Sequence, residues 1–295
     1  MEARIRKYLG RIDGIVAGGV DDAITAATAA VARLSVDASQ AEFESAVMDA
    51  MEAKLGAAMR SKEMQRAVRA AASEAYSFYR ITDQSALQGF PAPRSIFEFS
   101  GADEKAMAFL GNVDGWYFTK LVDNATLQTP LRNWLEKEYL SEGAALFGRG
   151  GDAQREAFRA RLGGEAYKLA NYEVDRIANS SVQRIRTWGT MEQFAAAKIV
   201  EAEIVAVMDD KTSEICQAMD GRIIPIEVAV EAVRRFTDME PEEFAASQFE
   251  SEDGKAFNAD PLEYIQGKDM AELAAEGRGF PPFHPNCRTD VVYRG

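Results

Sequence analysis

The sequence predicts a mostly helical α+β protein, with a helical N-terminal region followed by a small α+β C-terminal domain holding a short β-sheet. Three observations carry that reading. Ala, Met, Glu and Arg, all good helix formers, dominate the first 82 residues. Apolar residues recur at spacings of three and four in segments reaching to about residue 188. Beyond residue 200 the pattern changes to short β-branched runs, Glu201-Ala-Glu-Ile-Val-Ala-Val-Met208, Arg222-Ile-Ile-Pro-Ile226 and Asp290-Val-Val-Tyr-Arg294.

Taken in order, residues 1–82 read as three or four helices broken at Gly18-Gly19 and around 35–39. Phe43, Val47, Ala50, Met51, Leu55 and Ala58 form one apolar helix face. Lys54, Arg60, Lys62, Arg66 and Arg69 give the next stretch a basic surface, either simply solvated or suited to DNA or an acidic partner. The prolines of Gly89-Phe-Pro-Ala-Pro-Arg94 mark a joint. The expected organisation is therefore a helical region at 1–85, a helical middle region at 86–160 and a C-terminal domain at 161–295.

Helical periodicity returns at 103–124 and 130–147, with Trp116, Tyr117, Phe118, Leu121, Trp134, Leu135 and Leu140 as expected anchors. The glycines of Phe147-Gly-Arg-Gly-Gly-Asp152 make a loop and lack the spacing and the following Lys of a phosphate-binding loop. A long helix carries Ala166, Ala170, Val174, Ile177, Ser181, Ile185 and Trp188, is expected to end at Gly189, and is followed by a second helix over 190–200 with Thr190 as its cap. The run at 201–208 reads as a strand, Asp209 or Asp210 as the cap of a short helix carrying Cys216, and 222–226 as a strand that Pro225 confines to an edge. Helical pieces follow at 227–236 and 241–248, and the acidic stretch 250–267 reads as a surface excursion.

The net charge of −13 is unevenly placed: residues 1–190 carry 24 Lys and Arg against 25 Asp and Glu, residues 191–295 carry 10 against 22. A phosphate backbone is repelled by such a C-terminal surface, so nucleic-acid contact is expected only from the basic faces upstream. No apolar run reads as long enough to span a bilayer, and Met1-Glu-Ala-Arg-Ile-Arg-Lys7 lacks the apolar core of a signal peptide. Cytosolic residence without membrane contact is the expectation, with both cysteines reduced or bound to metal.

The chain has one histidine, His284, and two cysteines, Cys216 and Cys287, and its two most motif-like segments hold all three. Pro281, Pro282 and Pro285 stiffen the segment that displays His284 and Cys287. On a helix begun at Asp209, the positions Asp209, Thr212, Cys216 and Asp220 share one face. Two thiolates, an imidazole and the Asp209 carboxylate make a ligand set for Zn²⁺. The same residues also read as buried thiols in a structural turn, or as a Cys-His-Asp nucleophile of a hydrolase. Glu201 and Glu203 lie on one side of a strand, the arrangement an ADP-ribosylating enzyme would use.

Residues 165–294 resemble the phage head morphogenesis family, the Mu F-like minor head proteins. The resemblance lies in Arg176-Ile-Ala-Asn-Ser-Ser181, Gly189, the strand after it, Asp209-x-x-Thr212-x-x-x-Cys216-x-x-Met219-Asp220-Gly221 and the closing Pro282-Phe-His284-Pro-Asn-Cys287-Arg288. Many members have further cysteines where this chain has Ser213 and Thr289. The resemblance implies a minor capsid protein that associates with the portal and other head proteins, assembling in the host cytoplasm and residing in the virion head, with DNA contact in some relatives. It does not imply catalysis. The helices before residue 160 lie outside it and are expected to make the portal or scaffold contacts.

Overall fold

The computed structural model of the chain describes residues 2–83, 87, 90, 98–147, 151–249 and 260–294. In chain order the helices are α1 (Glu2–Leu9), α2 (Asp13–Val31), α3 (Gln40–Met51), α4 (Ala57–Met59), α5 (Lys62–Ser77), α6 (Gly101–Lys120), α7 (Ala125–Leu146) and α8 (Asp152–Ala196). Single π-helical turns follow α3 at Glu52–Gly56 and α5 at Phe78–Thr82. Then come β1 (Glu201–Val205), α9 (Glu214–Met219), β2 (Ile223–Pro225), α10 (Ile226–Phe236), α11 (Pro241–Ser247), α12 (Pro261–Gln266), α13 (Met270–Ala275) and β3 (Asp290–Val292). The protein is α+β and mostly α, as its sequence predicts.

The chain divides into two compact units, each assembled from separated stretches: residues 9–67 with 117–175, and residues 1–8 with 68–116 and 176–295. Consecutive cuts at 85 and 160 fall inside these stretches. The first unit is all helical. The Ser39 hydroxyl accepts from Glu42 N–H while Glu42 accepts from Ser39 N–H, a reciprocal cap that starts α3. Phe43, Val47, Met51 and Leu55 are buried, and the Phe43 ring lies 5.9 Å from Phe147 and 5.7 Å from Phe158.

Gly18-Gly19 does not break α2. A Cβ on Gly19 would stand 2.7 Å from that of Ala58, so the small residue lets two helices approach and is a packing device within the element. By length and composition α2 is apolar enough to cross a membrane, which the sequence reading denied to the chain. Here its face of Val16, Val20, Ala23, Ile24, Ala27 and Val31 is buried within the unit. Of the expected anchors, Leu140 is 73% exposed, because it falls on the outer side of α7 between the buried Leu135 and Leu146.

The second unit holds the sheet. β1 is central, paired antiparallel with β2 on one edge and β3 on the other. Pro225 lies on an edge strand, where its missing N–H costs no ladder bond. A cluster of aromatic rings, Phe109, Trp188, Phe236 and Phe244, joins helices of the same unit, with neighbouring centroids 5.2–6.2 Å apart. Residue 189 does not end α8, which runs unbroken to Ala196. A Cβ there would meet Arg80 N at 3.2 Å, so Gly189 is required by the close passage of the Phe78–Thr82 turn. The helix stops instead at a left-handed Lys198 (φ 59°), with Ile199 N–H donating to the Phe194 carbonyl. Of the stretches named in the sequence reading, 148–150, 91–97 and 250–259 lie outside the described residues, while 261–266 forms the short helix α12.

Candidate metal centre

Two segments build the site, both anchored to the sheet. Leaving β1, the chain makes a tight turn in which Asp209 Oδ1 accepts from Lys211 N–H at 2.9 Å and the Thr212 hydroxyl donates to the Val207 carbonyl at 2.5 Å. These local bonds commit Asp209 to the turn, so the helix begins later than its sequence suggests. Ser213 is the cap, its hydroxyl accepting Cys216 N–H at 3.3 Å. Asp209 therefore does not share a helix face with Cys216. At the other end of α9, the Asp220 carboxylate accepts Ala206 N–H at 2.8 Å, and Gly221 takes the left-handed φ of 75° that turns the chain into β2.

The second segment is the closing one. Cys287 N–H donates to the His284 carbonyl at 3.2 Å, and Asn286 between them is left-handed at φ 62°. The helix α8 fixes this turn from one side. Asn179 donates to the Asn286 side-chain oxygen at 2.8 Å, the Ser180 hydroxyl accepts Asn286 N–H at 3.3 Å, and Gln183 donates to the Thr289 carbonyl and to Asp290. Arg186 pairs with Asp290 at 3.0 Å. Asn179 and Ser180 thus tie the helical motif of the sequence to its closing motif.

The result is that Cys216, His284 and Cys287 converge. Cys216 Sγ lies 3.2 Å from His284 Nε2 and 3.7 Å from Cys287 Sγ, and the three donor atoms all fall within 4.8 Å of one another. Both thiols are free and buried. His284 Nδ1 is 2.7 Å from the Pro285 carbonyl, which can only accept, so Nδ1 donates there and Nε2 is left facing the sulfurs. The Cys216 thiol is lowered to about 6, chiefly by the bond from Cys287, helped by the hydroxyls of Ser213 and Thr289 and by the charge of Arg288, against the effect of burial. Cys287 is pushed upward by the sulfur beside it and by burial. One easily deprotonated thiol, a second thiol and an oriented imidazole could hold a metal ion.

Asp209 stands outside this cluster. Both its oxygens receive the Arg288 guanidinium, at 2.6 and 2.7 Å, which together with Lys211 N–H holds the carboxyl well below the usual carboxylate range. The third member that a Cys-His-Asp set requires is likewise not an aspartate here, since the carbonyl of Pro285 orients the imidazole. Glu201 is exposed and Glu203 lies 3.6 Å from Arg294. The basic residues Lys54, Arg60, Lys62 and Arg66 are exposed on the first unit and Arg69 on the second. Sequence reasoning missed Asn179, Ser180, Gln183 and Arg186 as positioning residues because their partners lie more than a hundred positions away. Compared with protein-family models, curated proteins and solved structures, the chain finds no match.

Proposed function

We propose that this chain is a structural assembly protein of the minor head protein type, with a C-terminal domain locked by one Zn²⁺ ion on Cys216, His284 and Cys287. The observation that carries the reading is the convergence of the only histidine and the only two cysteines at the closing motif. Two Zn–S bonds of 2.3 Å at a tetrahedral angle separate the sulfurs by about 3.8 Å. The sulfurs here are 3.7 Å apart, far beyond bonding distance and near that span. When bound, the ion supplies cross-linking: it joins α9 to the closing turn and so to α8 and β3. The role of the chain's own residues is to present donors. Pro285 holds the imidazole tautomer, Ser213 starts the helix that carries Cys216, and Asn179 and Ser180 fix the turn that carries His284 and Cys287.

In this reading the protein joins a phage head in the host cytoplasm through contacts with the portal, made by exposed helical surface upstream of the C-terminal domain. Support for it comes from the joining of the two motif segments on which the resemblance rests. Two measurements test it. Elemental analysis of the purified chain should give close to one zinc per chain, with Cys216→Ala and His284→Ala each losing it. Co-expression with the portal of the same phage should place the chain in proheads. A metal-free protein whose melting temperature ignores chelators removes the zinc, and exclusion from proheads removes the head role.

A further inference from the structure

Resting on the metal reading above, we propose that the described residues give the ion three donors and leave the fourth position to a water molecule that small anions can replace. Tetrahedral coordination asks for four ligands. With His284, Cys216 and Cys287 engaged, the whole sequence has no further imidazole or thiol to offer. Asp209, the carboxylate that the sequence suggests, has both its oxygens taken by Arg288 outside the cluster, and among the described residues no other carboxylate joins the three donors. The hydroxyls of Ser213 and Thr289 are turned to the Cys216 sulfur, and that of Ser213 also accepts the helix N–H. What stands beside the cluster is space. A cavity of about 20 Å³ is bounded by Cys216, His284, Thr212, Ser213, Asn286 and Thr289, the room one water requires.

The charges at the mouth select the ligand class. Two thiolates neutralise a divalent ion, so an anion in the fourth position leaves one negative charge on the centre. Lys211 lines the same cavity and offsets it, while Arg288, which also lines it, shares its charge with Asp209. A small anion of one or a few atoms fits this opening, whereas a peptide carboxylate would have to displace the 209–213 turn. Such a centre is open, of the kind that exchanges ligands, although its surroundings are those of a structural site.

Cobalt replaces zinc as a visible probe. The full chain loaded with one Co²⁺ should show sulfur-to-metal charge-transfer absorption, and sodium azide should shift its visible bands with saturation. In Thr289→Cys, which sets a third thiol where a hydroxyl now faces Cys216, the charge-transfer absorption should rise about 1.5-fold as three Co–S bonds replace two, and the azide response should vanish. Bound cobalt whose bands ignore azide in the unaltered chain would mean a closed centre, overturning this inference while the metal reading stands. Failure to bind cobalt through sulfur overturns both. An azide response undiminished in a Thr289→Cys chain that has gained the third sulfur would overturn the open position assigned here.

Discussion

Tyr8, Asp114, Ser181 and Arg184 meet in the buried interior of one unit. The Tyr8 and Ser181 hydroxyls donate to the two oxygens of Asp114 at 2.9 and 2.7 Å, and Arg184 reaches Asp114 at 3.1 Å. Burial first, and the Asp114 charge second, raise Tyr8 far above an ordinary phenol, so it stays a donor at every working pH. Removing the carboxylate would take a charged partner from the buried Arg184. Asp114→Ala should therefore cost about 3–5 kcal/mol in urea unfolding, whereas Ser181→Ala, which deletes one bond, should cost about 1 kcal/mol. Glu276 gives a pH-dependent counterpart. Burial alone would raise its carboxyl, but Lys268, the Tyr264 hydroxyl and Arg278 outweigh it and the net direction is down. A lowered carboxyl stabilises fully above its unfolded value, about 4.3, and the contribution fades as pH falls through the folded one. Glu276→Gln should thus melt lower than the parent at pH 7, by about 1 kcal/mol for a partly exposed pair, and the gap should close below about pH 4. At this scale the sequence revealed the metal-ready trio because its residue types are scarce. It concealed the Asp114 network, since no local pattern announces a partner 106 positions away.

At the scale of elements, two glycines that look alike in sequence do different work. Gly277 is left-handed at φ 77°, and a Cβ there would stand 1.9 Å from the Phe236 ring. Gly277→Ala therefore combines backbone strain with overpacking and should destabilise by about 2–5 kcal/mol, measured as a fall in the urea midpoint. Gly189 has ordinary helical backbone, and an alanine there would gain about 1 kcal/mol of helix propensity but for the Arg80 and Tyr79 backbone atoms at 3.2 and 3.3 Å. Backbone yields less than a side chain, so Gly189→Ala should also be destabilising, though less than Gly277→Ala. Strands were legible from sequence because β-branched runs with Pro225 at the edge leave few alternatives. Helix boundaries were less so. Asp209 and Ser213 are both good caps, and the choice fell to Ser213 because the Asp209 carboxylate was already spent on Lys211 and Arg288. The end of α8 carried no glycine signal, since Lys198 takes the left-handed position.

For the whole molecule, interleaving decides how the chain can be cut. Deleting residues 1–85 would remove Tyr8 from Asp114, and Arg80 from its ion pair with the buried Asp103 at 2.8 Å. Such a truncation is expected to be insoluble or to lose its cooperative unfolding, so the proposed portal contacts are better tested with substitutions of exposed helical residues. DNA affinity follows the charge distribution. If all of Lys54, Arg60, Lys62, Arg66 and Arg69 met phosphates, the logarithm of the binding constant would fall against that of salt with a slope no steeper than about −4.5. Weak duplex binding that disappears between 50 and 200 mM salt, in the range set for so few contacts, is expected. The triple change of Arg60, Arg66 and Arg69 to Ala should abolish it in a filter-binding titration.

The separation of the two thiols along the chain also has a biosynthetic meaning. Seventy-one positions separate Cys287 from Cys216. At a translation rate of about 5–20 residues per second, Cys216 leaves the ribosome about 4–14 s before its partner. The turn that carries His284 emerges with the later thiol, and β3, the second neighbour of β1, emerges just behind it. For those seconds the earlier thiol has neither imidazole nor second sulfur beside it, and the sheet has one of its edges missing. In the proposed zinc reading, metal capture therefore waits for residues 284–287, and nascent chains stalled before residue 284 should take up no zinc.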